Sequence, residues 1–187
     1  LRKNGFPHAV AVGDPFLYTQ DPNVKRIPGS LLIIPKHSIK ETNVNIECNR
    51  KPPLPDTIAS LKSKFSTVVA CIGGFCVSRN NYGNTFEGIG IPWILGAWLY
   101  DSFALQRIRN LFSQFEYIST NAIGSHIPYA AYCGCKVSYY GKGKDLSKSH
   151  FLNIPFYKKY PQFIDIVASE QRLDRLKNKY PFLFNKV

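Results

Sequence analysis

The sequence predicts an α/β fold in which a Rossmann-like parallel sheet carries helices on both faces. Short apolar segments of strand length alternate with segments of helical periodicity, and the connections between them are short. A chain of 187 residues is long enough for one domain with a hydrophobic core. Its 44% hydrophobic and 14% aromatic residues exclude a disordered chain. No apolar run approaches the ~20 residues of a membrane-spanning helix, so we expect a soluble domain.

The first predicted strand is Leu31–Ile34, a continuous apolar run bounded by Gly29 and Pro35. Such a run is typical of a strand that is buried on both faces of a sheet. Residues that favour turns dominate the rest of the first sixty positions. A proline-rich linker then leads to Asp56, which we expect to cap a helix extending to about Phe65.

From residue 67 onwards, segments of strand and helix character alternate. Asp101 is predicted to cap a helix whose apolar residues are spaced helically from Phe103 to Phe115. Gly134 is expected to end a second helix that begins near Gly124. The other predicted elements are strands at Thr67–Ile72, Ile91–Leu95, Glu116–Ser119 and Lys136–Tyr140, a polar loop at Ser78–Asn84, and an amphipathic helical tail from Pro161 to Phe182.

The chain is strongly basic, with 24 Lys and Arg against 12 Asp and Glu, a net charge of +12 and a pI near 9.6. The excess is spread along the chain, and no zinc knuckle, RNA-recognition motif or basic recognition helix accompanies it. Lys158 and Lys159 lie among aromatic residues between Phe151 and Phe163. This combination favours adsorption to an anionic membrane leaflet at least as well as binding to nucleic acid. A solvated surface without a partner is the third possibility.

Cysteine and methionine usage gives two further expectations. The cysteine count is odd and no C-x-x-C occurs, which argues against a disulfide framework or a zinc site. We expect reduced, mostly buried thiols and no bound metal; the cysteines are Cys48, Cys71, Cys76, Cys133 and Cys135. Because the chain has no methionine, not even at position 1, we expect that an N-terminal portion or scattered residues are missing from it.

The segment from Tyr117 to Val137 carries most of the chemical information. A buried strand runs into a small polar turn, which opens directly into a helix. Backbone N–H groups at such a helix start, together with the hydroxyls of Thr120 and Ser125, form a potential anion site. Gly124 would allow a ligand to approach the backbone closely. The alternative is that Thr120, Asn121 and Ser125 only cap the helix.

The pattern Ser119-Thr120-Asn121, Gly124-Ser125-His126, Tyr129-Ala130 and Gly134-x-Lys136-Val137 resembles the nucleotide-sugar-binding half of GT-B glycosyltransferases. More particularly, it resembles proteins of bacterial capsule and O-antigen gene clusters, which also have segments like Gly13–Tyr18 and Pro35–Ser38. This resemblance implies two parts: residues 1–55 as a partial N-terminal segment with one buried strand and a linker, and residues 56–187 as a Rossmann-like nucleotide-sugar-binding domain. The chain is shorter than a complete GT-B enzyme and lacks a clean Glu-x7-Glu donor motif.

The resemblance implies that Thr120, Asn121, Gly124 and Ser125 hold the phosphates of the donor. It also implies that His126, in the first turn of the helix, donates a hydrogen bond to the same anion. A histidine at a helix start can instead cap the helix or pack against it, and that alternative remains open.

Five loop residues complete the candidate site. His37 follows a buried strand and is a candidate general base or phosphate ligand, because histidine titrates near neutral pH. Ser38 could contact phosphate or cap a helix. Arg79 could neutralise the charge of a leaving nucleotide, Tyr82 could stack on its base, and Glu87 is a candidate general base or ribose contact. For each of them a structural or solvated loop residue is the alternative.

The resemblance implies a glycosyltransferase of bacterial surface polysaccharide biosynthesis, which moves a sugar from a nucleotide donor to a glycan or a lipid-linked acceptor. The nucleotide sugar is a substrate, and no further cofactor is expected. We expect a cytoplasmic protein that contacts the inner face of the cell membrane peripherally. The alternatives are a basic Rossmann-like nucleic-acid-binding module and a non-catalytic α/β assembly domain.

Overall fold

Five parallel strands form one sheet in the order β3-β2-β1-β4-β5. The strands are β1 (Ile27–Ile34), β2 (Thr67–Ile72), β3 (Trp93–Leu95), β4 (Phe115–Thr120) and β5 (Lys136–Tyr139). The computed structural model describes residues 7–36, 56–74, 76–77, 82–98, 100–140, 148–152, 154–170 and 173–184. The all-parallel sheet and its helices confirm the predicted α/β, Rossmann-like fold. β1 is longer than predicted because Gly29, at φ +64°, carries the chain through an irregularity at its start.

Helices cover both faces of this sheet. On one face, α1 (Asp56–Leu61) and α2 (Tyr82–Gly88) contribute Ile58 and Phe86 to a core that includes Leu31 and Ile33 of β1. On the other face, α3 (Ala104–Gln114) and α4 (His126–Tyr132) pack against Leu32. Because successive side chains of a strand point to opposite faces, the apolar run in β1 supplies both cores.

The position of β1 bears on the predicted division of the chain at residue 55. β1 pairs with β2 on one side and with β4 on the other, so it lies at the centre of the sheet. Leu31, Leu32 and Ile33 are each at most 1% exposed. The strand assigned to a separate segment 1–55 therefore belongs to the same sheet as the domain predicted at 56–187, and the two share their hydrophobic cores.

The helix predicted after Asp101 is shorter than its apolar pattern indicates. The Asp101 carboxylate does accept a hydrogen bond from the Phe103 backbone N–H at 2.9 Å, but α3 begins at Ala104. Phe103 itself is 71% exposed, so it does not belong to the buried side of the helix. Phe115 is buried as expected, but as the first residue of β4. The helix passes directly into the strand, because the Phe115 N–H still bonds to the Phe112 carbonyl while its own backbone is extended.

The C-terminal part of the chain is helical, as expected, but consists of several short helices. They are α5 (Pro155–Lys159), α6 (Gln162–Glu170), α7 (Leu173–Lys179) and a 3-10 helix at Pro181–Phe184. Ile154, Ile164 and Ala168 form a small core with Phe151. The final 3-10 helix contacts β5, and the rings of Phe184 and Tyr139 lie 5.3 Å apart. Within the residues that the structure describes, every helix is too short or too polar to cross a lipid bilayer.

Four of the five cysteines are buried reduced thiols, which confirms that expectation for Cys71, Cys76, Cys133 and Cys135. Burial raises the pKa of the Cys71 thiol to about 12, so this side chain stays protonated and behaves as a small apolar group. Cys48 lies outside the described residues. In the described part of the chain, no three His, Cys, Asp or Glu side chains come together as a metal site.

Candidate functional site

The carboxyl ends of β1 and β4 lie side by side at the centre of the sheet, and Ile34 pairs with Thr120 there. The helix that follows β1 packs on one face of the sheet, and the helix that follows β4 packs on the other. The strand order β3-β2-β1-β4-β5 therefore reverses between β1 and β4. Open α/β sheets bind ligands at this kind of point. We call the region between Pro35-Lys36 and residues 120–126 the β1/β4 crevice.

Asn121 joins the strand ends that border the β1/β4 crevice. Its side-chain Oδ1 accepts a hydrogen bond from the backbone N–H of Lys36 at 2.6 Å. Its backbone carbonyl accepts a hydrogen bond from the Tyr139 hydroxyl at 3.1 Å. One residue thus connects the carboxyl ends of β1, β4 and β5.

Thr120 and His126 hold the turn between β4 and α4 in shape. The Thr120 hydroxyl accepts a hydrogen bond from the Ala122 N–H at 3.1 Å and lies 3.2 Å from the Ala122 carbonyl. His126 Nε2 lies 3.0 Å from Thr120 Oγ1 and 3.2 Å from the same carbonyl. His126 therefore closes the turn onto Thr120, as in the packing alternative.

Gly124 and Ser125 lead into the first turn of α4. A Cβ atom added at Gly124 would lie 3.1 Å from His126 Nδ1, so the absence of a side chain makes room for the imidazole ring. Ser125 occupies the cap position of α4, but its side chain makes no capping hydrogen bond. It is exposed at the surface of the crevice. Of the candidate phosphate ligands, Ser125 is thus open to solvent, whereas Thr120 is completely buried.

The Gly13–Tyr18 segment supports α4 from outside. Phe16, at 1% exposure, stacks on the Tyr129 ring with the centroids 4.0 Å apart and an interplanar angle of 6°. The Tyr129 hydroxyl donates to the Asp14 carboxylate at 3.0 Å. Partial burial, and then the neighbouring carboxylate, raise the pKa of Tyr129, so the hydroxyl remains a donor. This N-terminal segment therefore fixes the helix that borders the β1/β4 crevice.

The electrostatics of the β1/β4 crevice favour an anionic ligand. Residues 120–126 contain no acidic side chain, and β1 continues into Lys36. Burial raises the pKa of Tyr139, which keeps its hydroxyl neutral beside the Asn121 carbonyl. A phosphate entering here would meet one lysine and backbone dipoles without a nearby carboxylate from the turn.

Two of the predicted loop residues, Tyr82 and Glu87, lie away from the β1/β4 crevice. Tyr82 is the first residue of α2, not part of a loop, and its ring is 5% exposed within the core beside Ile72, so it presents no face for base stacking. Glu87 lies at the other end of α2, where its Oε1 accepts a hydrogen bond from Trp93 Nε1 at 2.8 Å. Trp93 begins β3, and all strands are parallel, so Glu87 lies at the amino edge of the sheet. This is the edge of the sheet opposite the β1/β4 crevice.

Three predicted residues, His37, Ser38 and Arg79, lie outside the described residues. Lys36 and Tyr139, in contrast, border the crevice and were missed as site residues. Lys36 directly follows a buried strand, a position that could have been recognised. Tyr139 could not, because its contact depends on the order of the strands.

Comparison with known proteins assigns no family to this chain. No family model matches it, and neither the curated proteins nor the solved structures contain a significant match. What can be concluded about function therefore comes from the β1/β4 crevice itself.

Proposed function

We propose that this chain binds a nucleotide sugar at the β1/β4 crevice and transfers its sugar to a glycan or lipid-linked acceptor, as a glycosyltransferase of bacterial surface polysaccharide biosynthesis. One observation carries most of the proposal. The turn between β4 and α4, which resembles the donor-binding turn of GT-B enzymes, lies where the strand order reverses. This is the position at which sheets of this type take up nucleotides.

In this proposal the donor phosphates lie between Lys36 and residues 121–125. The Lys36 ammonium and the exposed Ser125 hydroxyl contact phosphate oxygens, and Asn121 keeps the two sides of the crevice at the required distance. The departing nucleoside diphosphate develops negative charge as the glycosidic bond to it breaks. A fixed cation and oriented dipoles stabilise that charge without reorganisation. His126 acts as a positioning residue through Thr120.

The proposal also includes His37 and Arg79, whose roles are inferred from the sequence. His37 follows Lys36 at the end of β1 and is proposed as the base for the acceptor hydroxyl. Arg79 is proposed as a second cation for the leaving group. We further propose that the protein works in the cytoplasm, at the inner face of the membrane, where a lipid-linked acceptor is reached.

The proposal is tested by titrating the protein with UDP-, GDP-, CMP- and ADP-sugars and following its melting temperature, because a ligand that binds only the native state stabilises it. We expect one nucleotide class to raise the melting temperature. Lys36→Gln should weaken its binding about tenfold, which is the loss of one charge-assisted contact. Ser125→Ala should weaken it less.

Lys62→Gln is the matched control, because Lys62 bonds to the Ile89 carbonyl on the chain leading into β3, at the amino edge of the sheet. It should bind like the wild type. The proposal fails if none of the nucleotide sugars stabilises the protein, or if Lys36→Gln and Lys62→Gln bind equally well. Binding of RNA or DNA with a steep salt dependence, in the absence of nucleotide binding, would instead favour the nucleic-acid-binding alternative.

A further inference from the structure

Three aromatic side chains near the C-terminus form a contiguous exposed surface. Phe156 of α5 lies 5.2 Å from the ring of Tyr160 and 6.0 Å from the ring of Phe163, and these last two rings are 6.4 Å apart. Their exposures are 53%, 37% and 41%. We call Phe156, Tyr160 and Phe163 the aromatic patch. Single exposed apolar residues are common, but a joined group of them marks an interaction surface.

Helix α6 carries Phe163 of the aromatic patch on a side that the small C-terminal core leaves exposed. Ile164 and Ala168, one helical turn apart, face the small C-terminal core and are 7% and 9% exposed. Phe163 and Ile166 face outward, and Ile166 is 57% exposed. A surface helix normally has one apolar side. α6 has apolar residues on two sides, and the core takes up only one of them.

The charges around the aromatic patch are mainly positive. Lys159 Nζ lies 5.4 Å from the centroid of the Tyr160 ring, and Lys158 is exposed in the same turn of α5. Asp165 of α6, an acidic residue of this region, pairs with Lys148 at 2.5 Å. An apolar surface bordered by lysines is complementary to a bilayer with anionic headgroups, since rings enter the interface while ammonium groups stay at headgroup level.

We propose that the aromatic patch, with Lys158 and Lys159, docks the protein onto the surface of an anionic lipid bilayer. Phe156 and Phe163 insert at the boundary between headgroups and acyl chains. The Tyr160 hydroxyl remains at headgroup level, as aromatic residues with a polar end do at membrane interfaces. The inference deepens the proposed function and rests on it for its biological setting, because a lipid-linked acceptor is reached at a membrane surface.

The test measures co-sedimentation of the full chain with vesicles of phosphatidylcholine alone and of phosphatidylcholine mixed with phosphatidylglycerol. We expect the wild type to bind the mixed vesicles, with an affinity that falls as salt is added. Lys158→Gln with Lys159→Gln should weaken this binding about 30-fold, or about fivefold for each lysine. Phe156→Ser with Phe163→Ser should weaken it roughly tenfold or more, because less apolar surface enters the interface.

Matched controls come from the same chain. Tyr100→Ser with Phe103→Ser changes two aromatic residues that are 82% and 71% exposed, and Lys62→Gln with Lys64→Gln changes two exposed lysines. Both control variants should bind mixed vesicles like the wild type. Urea denaturation of all variants verifies that the fold is kept, which is expected because the substituted side chains lie at the surface.

Several results would overturn the proposal. They are a wild type that does not bind mixed vesicles, patch variants that bind as well as the wild type, and controls that lose as much binding as the patch variants. A wild-type dimer that Phe156→Ser with Phe163→Ser converts to a monomer would assign the patch to a second copy of the chain. Nucleotide titration separates this inference from the proposed function: intact vesicle binding without nucleotide binding refutes only the latter.

Discussion

Asn121 offers the sharpest test of the β1/β4 crevice, because its structural and its electrostatic contributions can be separated. Asn121→Ala removes the 2.6 Å hydrogen bond from the Lys36 N–H but keeps the backbone carbonyl that accepts from Tyr139. A lost hydrogen bond between half-buried groups costs about 1–2 kcal/mol, since the donor is left poorly satisfied. For a chain of 187 residues this corresponds to a fall in melting temperature of roughly 3–6 °C.

Asn121→Asp separates the two contributions. Its carboxylate still accepts the Lys36 N–H, so the free energy of unfolding should stay within about 0.5 kcal/mol of the wild type at neutral pH. The same carboxylate places a negative charge at the crevice, where it repels a phosphate. Nucleotide-sugar affinity should therefore fall at least about tenfold in the aspartate variant although its stability is kept.

The assay is urea denaturation for stability and nucleotide titration for binding. Asn178→Ala, at an exposed position of α7, serves as the control and should change the unfolding free energy by less than about 0.5 kcal/mol. An unchanged unfolding free energy in Asn121→Ala would show that the Lys36–Asn121 contact does not stabilise the strand ends. If Asn121→Asp binds the nucleotide with wild-type affinity, the phosphate does not bind in this part of the crevice.

Two further predictions concern the framework around the crevice. Phe16→Ala should cost about 3–5 kcal/mol of unfolding free energy, because Phe16 is fully buried against Tyr129, whereas Leu17→Ala, at a half-exposed neighbour, should cost much less; equal losses in urea denaturation would contradict this. The Gly29 N–H at 2.7 Å and then Lys136 at 2.9 Å lower the pKa of Glu116 below its usual 4.5. A carboxyl group whose pKa is lowered by folding stabilises the native state at pH values above its unfolded-state pKa. This stabilisation is lost as the pH falls through its folded-state pKa. Glu116→Gln should therefore lose less stability than the wild type on acidification from neutral pH, and parallel pH profiles of the two proteins would refute the assignment.

The strands that could be predicted from the sequence are those whose hydrophobic pattern lies within a few consecutive residues. Leu31–Ile34 and Thr67–Ile72 are apolar runs between turn residues, and both lie inside observed strands because a buried parallel strand needs apolar residues on both faces. Gly134 was predicted to stop a helix, and it has φ +79°, a conformation that favours glycine. Information held within a few residues was sufficient for these elements.

Phe115 and Glu87 illustrate where such local information is insufficient. The helical spacing of apolar residues from Phe103 to Phe115 crosses the boundary between α3 and β4. Phe112 belongs to the helix and Phe115 to the strand, but both enter the same core. Glu87 was predicted as a general base or ribose contact because acidic residues are scarce and it was expected to lie in a glycine-rich loop. The helix between parallel strands returns to the amino edge, however, and carries Glu87 with it.

The candidate site also combines a local feature that the sequence predicts with long-range contacts that it does not predict. The turn at residues 120–126 was found from its sequence, because a buried strand, small polar residues and a glycine at a helix start are neighbours in the chain. Its contacts to Lys36 and Tyr139 join residues 85 and 18 positions apart. Such contacts depend on which strands become neighbours, which no short segment of sequence encodes.

The sequence alone determined that this chain folds as a parallel α/β domain, that the four thiols in the described residues are buried, and that residues 120–126 form a polar turn before a helix. These properties follow from hydrophobic periodicity and turn chemistry, which act over a few residues. Only the tertiary structure decided that β1 and β4 are neighbours, that His126 closes onto Thr120, and that the rings of the aromatic patch come together outside the core. These three features depend on contacts between residues far apart in the chain, because which apolar faces become buried depends on how all the helices and strands pack together.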